Sequence, residues 1–468
     1  MLEPVVFYEL PYAQYHDAQR LFAPFCDEPW ALFLDSANAE HPNSRFDILL
    51  RQPIRTYRYS HTHTDSRDPF SHLNAWLGAR APVAPEYEHL PFQGGLAGLF
   101  GYDAGRAIER LPDTHSTDID IPDIAVGYYV HALVIDHARQ RVTAIHPQNF
   151  QQSPEAFWQD ESPKRPSFRL TSAWHSNMTR SDYTQKIQQI HDYLRAGDCY
   201  QINLAQRFQA EFQGHPWHAY VALRQANQAP FSAYFNLPEG QILSVSPERF
   251  LQTHADGQVE TRPIKGTRPR HPDPEQDQRN IAQLQASEKD QAENLMIVDL
   301  LRNDLSRVCL PGSVHVPELF AIESFHAVHH SVSTVRGHLN ADSSALALLR
   351  AAFPGGSITG APKIRAMEII EELEPHRRNV YCGSIGYFSQ HGHSDTSITI
   401  RTLCCSKGRI YCWAGGGIVI DSDADAEYQE TFDKVARILP VLEFLGDDPE
   451  VSNTTNTPMQ RESSHDPK

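Results

Sequence analysis

Short apolar stretches that read as β-strands recur in both halves of this chain, and that distribution limits the folds open to it more than any other feature. Ala31-Leu-Phe-Leu-Asp35 and the run from Ile124 to Val134 lie in the first third. Strands are expected again at Tyr200 to Leu204, 382–390, 395–404 and 409–419, with turns at Gly392 and Lys407-Gly408. Strand edges must find partners, so strands supplied by both ends of a 468-residue chain predict one interwoven globule. Helical periodicity stands out in four segments. Tyr183, Ile187, Ile190, Tyr193 and Leu194 recur at helical spacing between a cap at Ser181 and a stop at Gly197. A second helix, from Ser287 to about Asn303, places Asp290 and Glu293 on one face; a third runs from Pro362 to just before Pro375. The last follows Asp421-Ser-Asp423 and carries Glu427, Glu430 and Lys434 on one face, with Pro440 ending its regular part. The chain is thus expected to comprise a β-rich scaffold over 1–170, a chemistry-bearing region over 171–446 and a tail, 447–468, too poor in apolar residues to order itself.

Several function classes fall away on composition and spacing. No apolar stretch approaches the roughly 20 residues of a membrane span, and Met1-Leu-Glu-Pro lacks the basic start of a signal peptide, so a cytoplasmic location is expected. A net charge of −17 argues against nucleic acid, and any anionic substrate must be held by locally gathered cations. The seven cysteines are odd in number and lack CxxC spacing, which predicts reduced thiols. Cys199 lacks the following glycine and the His-Pro-Glu segment of a glutamine-cleaving nucleophile. His326, His329 and His330 cluster without a metal-ligand pattern. Gly94 to Asp103 reads as tight strand turns, since no GK[ST] follows.

Other segments keep chemistry open. The Gly355 to Gly360 loop has G-x4-G spacing but is followed by Ala361-Pro362-Lys363, which excludes a nucleotide loop; feeding a helix N-terminus, it suits a small carboxylate, with Ser357 adding a hydroxyl. Glu293 with Asp290 and Glu427 with Glu430, on two helices, offer oxygen donors to a hard cation such as magnesium, or form solvated faces. Lys265 stands beside Gly266 in an extended segment, where the residues alone favour a solvated surface lysine over a nucleophilic amine. Glu248, beside Arg249, reads by itself as an ordinary surface salt-bridge partner rather than as an acid.

Pro263-Ile-Lys-Gly-Thr267, Ala292 to Asp304, Ala327 to Ser333, Gly355 to Lys363, Asp395 to Arg401, Ala414 to Gly417 and Glu427 to Thr431 together resemble the chorismate-utilising enzymes, as far as about Leu445 and most closely between Ser181 and Lys434. The resemblance implies a mixed α/β fold of two β-sheets packed face to face and flanked by helices, with the site in the C-terminal portion. It implies Mg2+ as cofactor, with Glu293 and Glu430 as ligands and Glu427, joined by Asp290, acting through water. It assigns Ser357, Tyr387, Arg401, the N–H groups of Gly415, Gly416 and Gly417, and Lys434 to the substrate carboxylates. Glu248 matches the acid/base glutamate and His330 the histidine near the C4 hydroxyl, leaving His329 structural. Ser357 departs from the threonine of the anthranilate type but keeps the hydroxyl.

Lys265 separates the branches. In the resemblance, lysine marks the enzymes that aminate chorismate at C4 for p-aminobenzoate and folate synthesis, whereas the anthranilate- and isochorismate-forming types carry alanine. The implied reaction adds the neutral Lys265 amine to C2 as the C4 hydroxyl leaves; ammonia then attacks C4 and expels the lysine. A neutral amine asks for desolvation or nearby positive charge, from magnesium and Arg401, and a departing hydroxide needs an acid. Ammonia is expected from a separate glutamine amidotransferase (glutaminase) subunit. Asp35-Ser36, Asn43-Ser44-Arg45-Phe46 and Pro230-Phe231-Ser232 resemble segments that hold a buried tryptophan molecule. Anthranilate formation and a non-catalytic tryptophan-binding regulator are the competing readings.

Overall fold

Strands from both ends of the chain are shuffled into two large antiparallel sheets. The computed structural model describes residues 4–445 apart from 38–40, 42, 63–66, 83, 116 and 325–327; the expected tail at 447–468 and His326 lie outside the described residues. The thirteen-stranded sheet runs from Val5–Leu10 through Arg141–Pro147, Ala132–Asp136, Phe46–Leu50 and Leu32–Asp35 to Phe231–Leu237, Gly240–Ser246, Thr402–Ser406, Arg409–Ile418 and Gln201–Gln213. The ten-stranded sheet runs from Ile264–Pro269 through Val328–His338, Gln258–Thr261, Arg249–Thr253, Ser394–Ile398, Ser384–Ser389, Gly95–Phe100 and Ile124–Tyr129 to Arg55–Tyr59.

Strand alternation explains why the sheets pack face to face. Leu32, Ile48, Leu50, Phe235 and Ile242 of the larger sheet share one core with Leu96, Leu99 and Val126 of the smaller. The alternating residues Phe33, Leu49, Tyr234 and Leu243 point the other way, into a second core with Phe22, Trp217, Tyr220 and Leu442 from the covering helices. A third cluster joins Tyr183, Ile187 and Ile190 of one helix to Ile369 and Ile370 of another across Ile202, Leu204 and Ile418. The interwoven fold expected from the strand distribution is what forms. Among the described residues no helix is long and apolar enough to cross a membrane.

Local structure corrects several expectations. The apolar run after Ile124 is two strands in different sheets, Ile124–Tyr129 and Ala132–Asp136. The glycine-rich segment after Gly94 is no turn but a buried central strand, Gly95–Phe100, leading into a 3-10 turn. Its neighbours lie so close that a Cβ on Gly95 would stand 2.3 Å from the Phe388 carbonyl oxygen. The first helix, Arg180–Ala196, is capped not by Ser181 but by Thr179, whose hydroxyl and the Asp182 carboxylate satisfy each other's backbone N–H groups. Gly197 closes it in the left-handed region, as expected. Glu288–Ser306 is capped by Ser287, and Ala424–Val435 by Asp423. Pro440 opens a short helix, Leu439–Glu443, because its missing N–H is tolerated in a first turn.

Two breaks in the strands position the site. The expected 395–404 strand is two: Ser394–Ile398 belongs to the smaller sheet and Thr402–Ser406 to the larger, and Arg401 turns the corner with a φ of 50°. Gly240–Ser246 and Arg249–Thr253 are likewise divided between the sheets, with Glu248 at the crossing. The crossings run side by side, joined by bonds from Val245 N–H to the Arg401 carbonyl and from Ile398 N–H to the Glu248 carbonyl, both 3.1 Å. Glu248 and Arg401 therefore occupy the seam between the sheets.

Candidate active site

Lys265 leaves the regular ladder at a bulge. Ile264 lies opposite Val332 and Thr267 opposite His330, so Lys265 and Gly266 together face a single residue, Ser331. Gly266 takes a φ of +82°, and a Cβ there would lie 2.7 Å from Leu284 Cδ1 and 3.0 Å from the Asp290 carboxyl carbon. The extra residue turns Lys265 into a cavity of about 520 Å³ at the seam, where its Nζ donates to the Ser357 carbonyl at 3.5 Å.

Glu248 lines the same cavity. Burial raises its carboxyl to about 7, against the opposing pull of Lys265, the Ile264 N–H, Lys434 and Arg401. It is therefore a group that can hold and release a proton near neutrality. His330 is pushed down to about 4, by burial and then by Arg401, and so is neutral at pH 7. Its Nδ1 lies 2.8 Å from the Thr267 hydroxyl. His329 is locked away between Asp277, 2.9 Å from Nε2, and Ser324, 2.7 Å from Nδ1, in keeping with a structural role.

Helices Glu288–Ser306 and Ala424–Val435 bring Glu293, Glu427, Glu430 and Asp290 to the cavity. Burial lifts Glu293 above the usual carboxylate range despite Lys265 and Lys289, with Asp290 and Glu427 adding repulsion. Glu427 is lifted by burial and by Glu430, while accepting a 2.7 Å bond from Ser422 Oγ. Burial also acts on Glu430, but Lys434 at 2.7 Å outweighs it and holds this carboxyl below its ordinary value. Asp290 is engaged by Arg268 at 3.5 Å. These oxygens form no closed cage: among the described residues the one three-residue group with ligand atoms all within 4.8 Å is Cys26, Asp27 and His215, elsewhere. Converging, mutually repelling carboxylates that leave coordination positions to water and substrate oxygens fit a magnesium ion. The cluster Cys26–Asp27–His215 does not fit one, since His215 Nδ1 accepts the Trp217 N–H and its Nε2 proton is given to Asp27.

The anion-binding expectations divide. Arg401 lines the cavity, and no hydrogen bond or ion pair of its guanidinium occurs among the described residues. Ser357 and Lys434 also line it, although Lys434 is already tied to Glu430 and the Gly415 carbonyl, both at 2.7 Å. Beyond Cys412 the strand Arg409–Ile418 has no strand neighbour on one edge among the described residues. In an antiparallel strand the N–H and C=O of a residue point the same way. Gly415 and Gly417 face that open edge, for their opposite numbers bond elsewhere: Ala205 N–H to Glu374 and Asn203 N–H to Thr359. Gly416 lies between them and turns its N–H toward the Gln201–Gln213 strand, so it is withdrawn from the anion set. Tyr387 is also relocated. It meets Phe92 edge-on and lines a different cavity, together with its strand neighbours Ile385 and Gly386.

That second cavity, of about 570 Å³, gathers Asn43, Arg45, Phe46, Pro230, Phe231 and Ser232 as the sequence suggested. Ser36 and Ser44 are not in its wall: Ser36 gives both its N–H and its hydroxyl to Asp47, at 2.7 and 2.8 Å, and the Ser44 hydroxyl is buried with no hydrogen-bond partner among the described residues. Arg249, bonded twice to Asp395 at 2.9 Å and once to Asn43 at 3.2 Å, completes the wall. Sequence reasoning missed Lys289, Thr267, Tyr381 and Trp413 in the first cavity. For Lys289 a signal existed, four residues before Glu293 on the same helix face. All seven cysteines are buried and unpaired, and Cys199 is pushed up to about 11 by burial and Asp198, far from a reactive thiolate.

Comparison with known proteins gives a consistent picture. A family model described as chorismate binding enzyme matches residues 31–440. Aminodeoxychorismate synthase component 1 of Salmonella typhimurium is 54% identical over 437 residues, 91% of this chain and 96% of that protein. Its namesake from Escherichia coli K12 is 52% identical over the same shares. The crystal structure of anthranilate synthase component I from Streptococcus pneumoniae TIGR4 matches with a TM-score of 0.74 at 31% identity, over 86% of this chain and 93% of that one.

Proposed function

The chain belongs to the chorismate-binding enzyme family and functions as an aminodeoxychorismate synthase component 1, and on that premise we propose that it makes 4-amino-4-deoxychorismate from chorismate and ammonia through a covalent adduct of Lys265. The observation that carries this mechanism is the pairing of a bulge-presented amine with a glutamic acid whose carboxyl titrates at about 7, in one cavity. In the first step the Lys265 nitrogen bonds to C2, the ring double bonds shift and the C4–O bond breaks. Glu248 gives its proton to the departing hydroxyl, which leaves as water. In the second step ammonia bonds to C4, the double bonds return and the C2–N bond breaks, restoring the lysine; Glu248 takes up the proton shed by the incoming nitrogen.

The remaining residues bind and orient. Arg401 forks onto a substrate carboxylate, helped by the Ser357 hydroxyl and the N–H groups of Gly415 and Gly417. Neutral His330 offers a hydrogen bond near the reacting hydroxyl. Glu293, Glu430 and, through water, Glu427 would hold magnesium, which when bound neutralises the ring carboxylate. The name component 1 borne by its relatives implies a second component; we assign that partner the supply of ammonia from glutamine. Incubating the protein with chorismate, magnesium and ammonium, and identifying the product by mass spectrometry, tests the reading. The expected product is 4-amino-4-deoxychorismate. Anthranilate with pyruvate release, or no turnover, would overturn it.

The second cavity supports a second assignment, a bound tryptophan molecule. Phe46, Pro230 and Phe231 offer an apolar wall, and Asn43, Arg45 and Ser232 offer polar groups. Release of no tryptophan on denaturing the purified protein would remove it.

A further inference from the structure

Of the cavity carboxylates, Glu293, Glu427 and Glu430 feel three lysines; Lys265 belongs to the reacting centre, and the other two, Lys289 and Lys434, are held very differently. Lys434 is fixed by two bonds of 2.7 Å, to Glu430 and to the Gly415 carbonyl. Lys289 approaches Glu427 at 3.6 Å, longer than a hydrogen bond, and no other bond of its ammonium occurs among the described residues. Its side chain is 54% exposed, while that of Glu427 is 5% exposed. Lys289 sits in the first turn of its helix, one turn before Glu293, so its long stem reaches the cluster from the cavity mouth.

We infer that Lys289 is the resident counter-ion of this carboxylate cluster, is displaced toward solvent when a divalent cation enters, and so sets the cation concentration at which the site fills. The inference rests on the magnesium reading above. A dication bonded at about 2.1 Å attracts a carboxylate oxygen roughly three times as strongly as an ammonium at the Lys289 distance, at equal screening. It also repels that ammonium. Both effects favour the metal once the lysine charge is lost; the one opposing effect, that Lys289 helps to keep Glu293 and Glu427 ionised, fades as pH rises. Lys434, with two short bonds and a partly covered stem, stays as part of the wall.

Calorimetric titration of magnesium into the substrate-free protein at pH 8, above the ordinary carboxylate range, tests this without turnover. The Lys289→Met variant is expected to bind magnesium about threefold to tenfold more tightly, the range for a half-exposed charge close to a dication; equal or weaker binding would overturn the inference. A second measurement uses the wild-type chain. Acylation of Lys289 by an amine-directed reagent, followed by peptide mass spectrometry, should speed up on adding magnesium but not on adding potassium at equal ionic strength. An unchanged or slower rate would overturn the displacement. Wild-type protein that binds no magnesium would instead refute the magnesium reading itself, so the two failures are told apart.

Discussion

Glu248 is an acid because of its surroundings. Burial at the seam holds its proton to about pH 7, so the form able to protonate a leaving hydroxyl is lost as pH rises through that value. The expected kcat profile therefore has a descending limb near pH 7, and Glu248→Gln should remove that limb while lowering kcat by about 10²–10⁴-fold, the usual reach of acid–base catalysis. A Gln variant that kept the limb would assign it to another group. Lys265→Ala should abolish amination, falling by at least about 10³-fold as for a lost nucleophile, while magnesium still binds as measured by calorimetry. Unchanged product formation would refute the covalent route. Both residues were placed in one site by the family resemblance of their local motifs, since taken alone each read as a surface side chain. Tyr387, Gly416, Ser36 and Ser44 were misplaced because the facing of a side chain or an N–H group is decided by neighbouring strands, which no local pattern records.

At the scale of elements, the bulge and the two corners carry the site. Gly266→Ala must adopt a strained left-handed backbone and push against Leu284 and Asp290. A loss of about 1–3 kcal/mol is expected in denaturant unfolding, with amination falling further than magnesium binding, since Lys265 is displaced and the helices are not. Equal losses in both would mean general destabilisation. Thr179→Ala, by contrast, should lower stability by about 1 kcal/mol through the lost helix cap and leave turnover per folded molecule unchanged. Helix starts were readable from caps to within two residues, whereas ends were less so: Glu288–Ser306 runs three residues past Asn303, and the last long helix stops at Val435, short of Pro440. The corners were not readable, because 395–404 carries no glycine or proline to mark a break, and only the second sheet reveals that the chain changes layer at Arg401.

For the whole molecule, the strand shuffling predicted from the sequence has a direct consequence. Leu32–Asp35 pairs with Phe231–Leu237, and Gly95–Phe100 with Ser384–Ser389, so chains cut to 1–170 or 171–446 would expose unpaired strands. Neither piece is expected to give a dispersed NMR spectrum by itself, and a well-folded fragment would show the halves to be separable. Metal and stability are linked at this scale too. Glu293 and Glu427 bind their protons more tightly in the folded protein than the ordinary value of 4.5 allows, so ionising them weakens the fold as pH rises above that range. A divalent cation offsets this only when the carboxyls are ionised, and magnesium should raise the Tm more at pH 8 than at pH 5; the reverse order would place the ion elsewhere. The bulge at Lys265-Gly266 suggests a final point about descent. A backbone that delivers whatever stands at 265 to the same place in the cavity works as a socket, in which the reacting group can be exchanged by one codon without rebuilding its support. Reaction type in such a scaffold can drift while the architecture stays fixed, and insertions or deletions around the bulge, rather than substitutions within it, should be what selection resists.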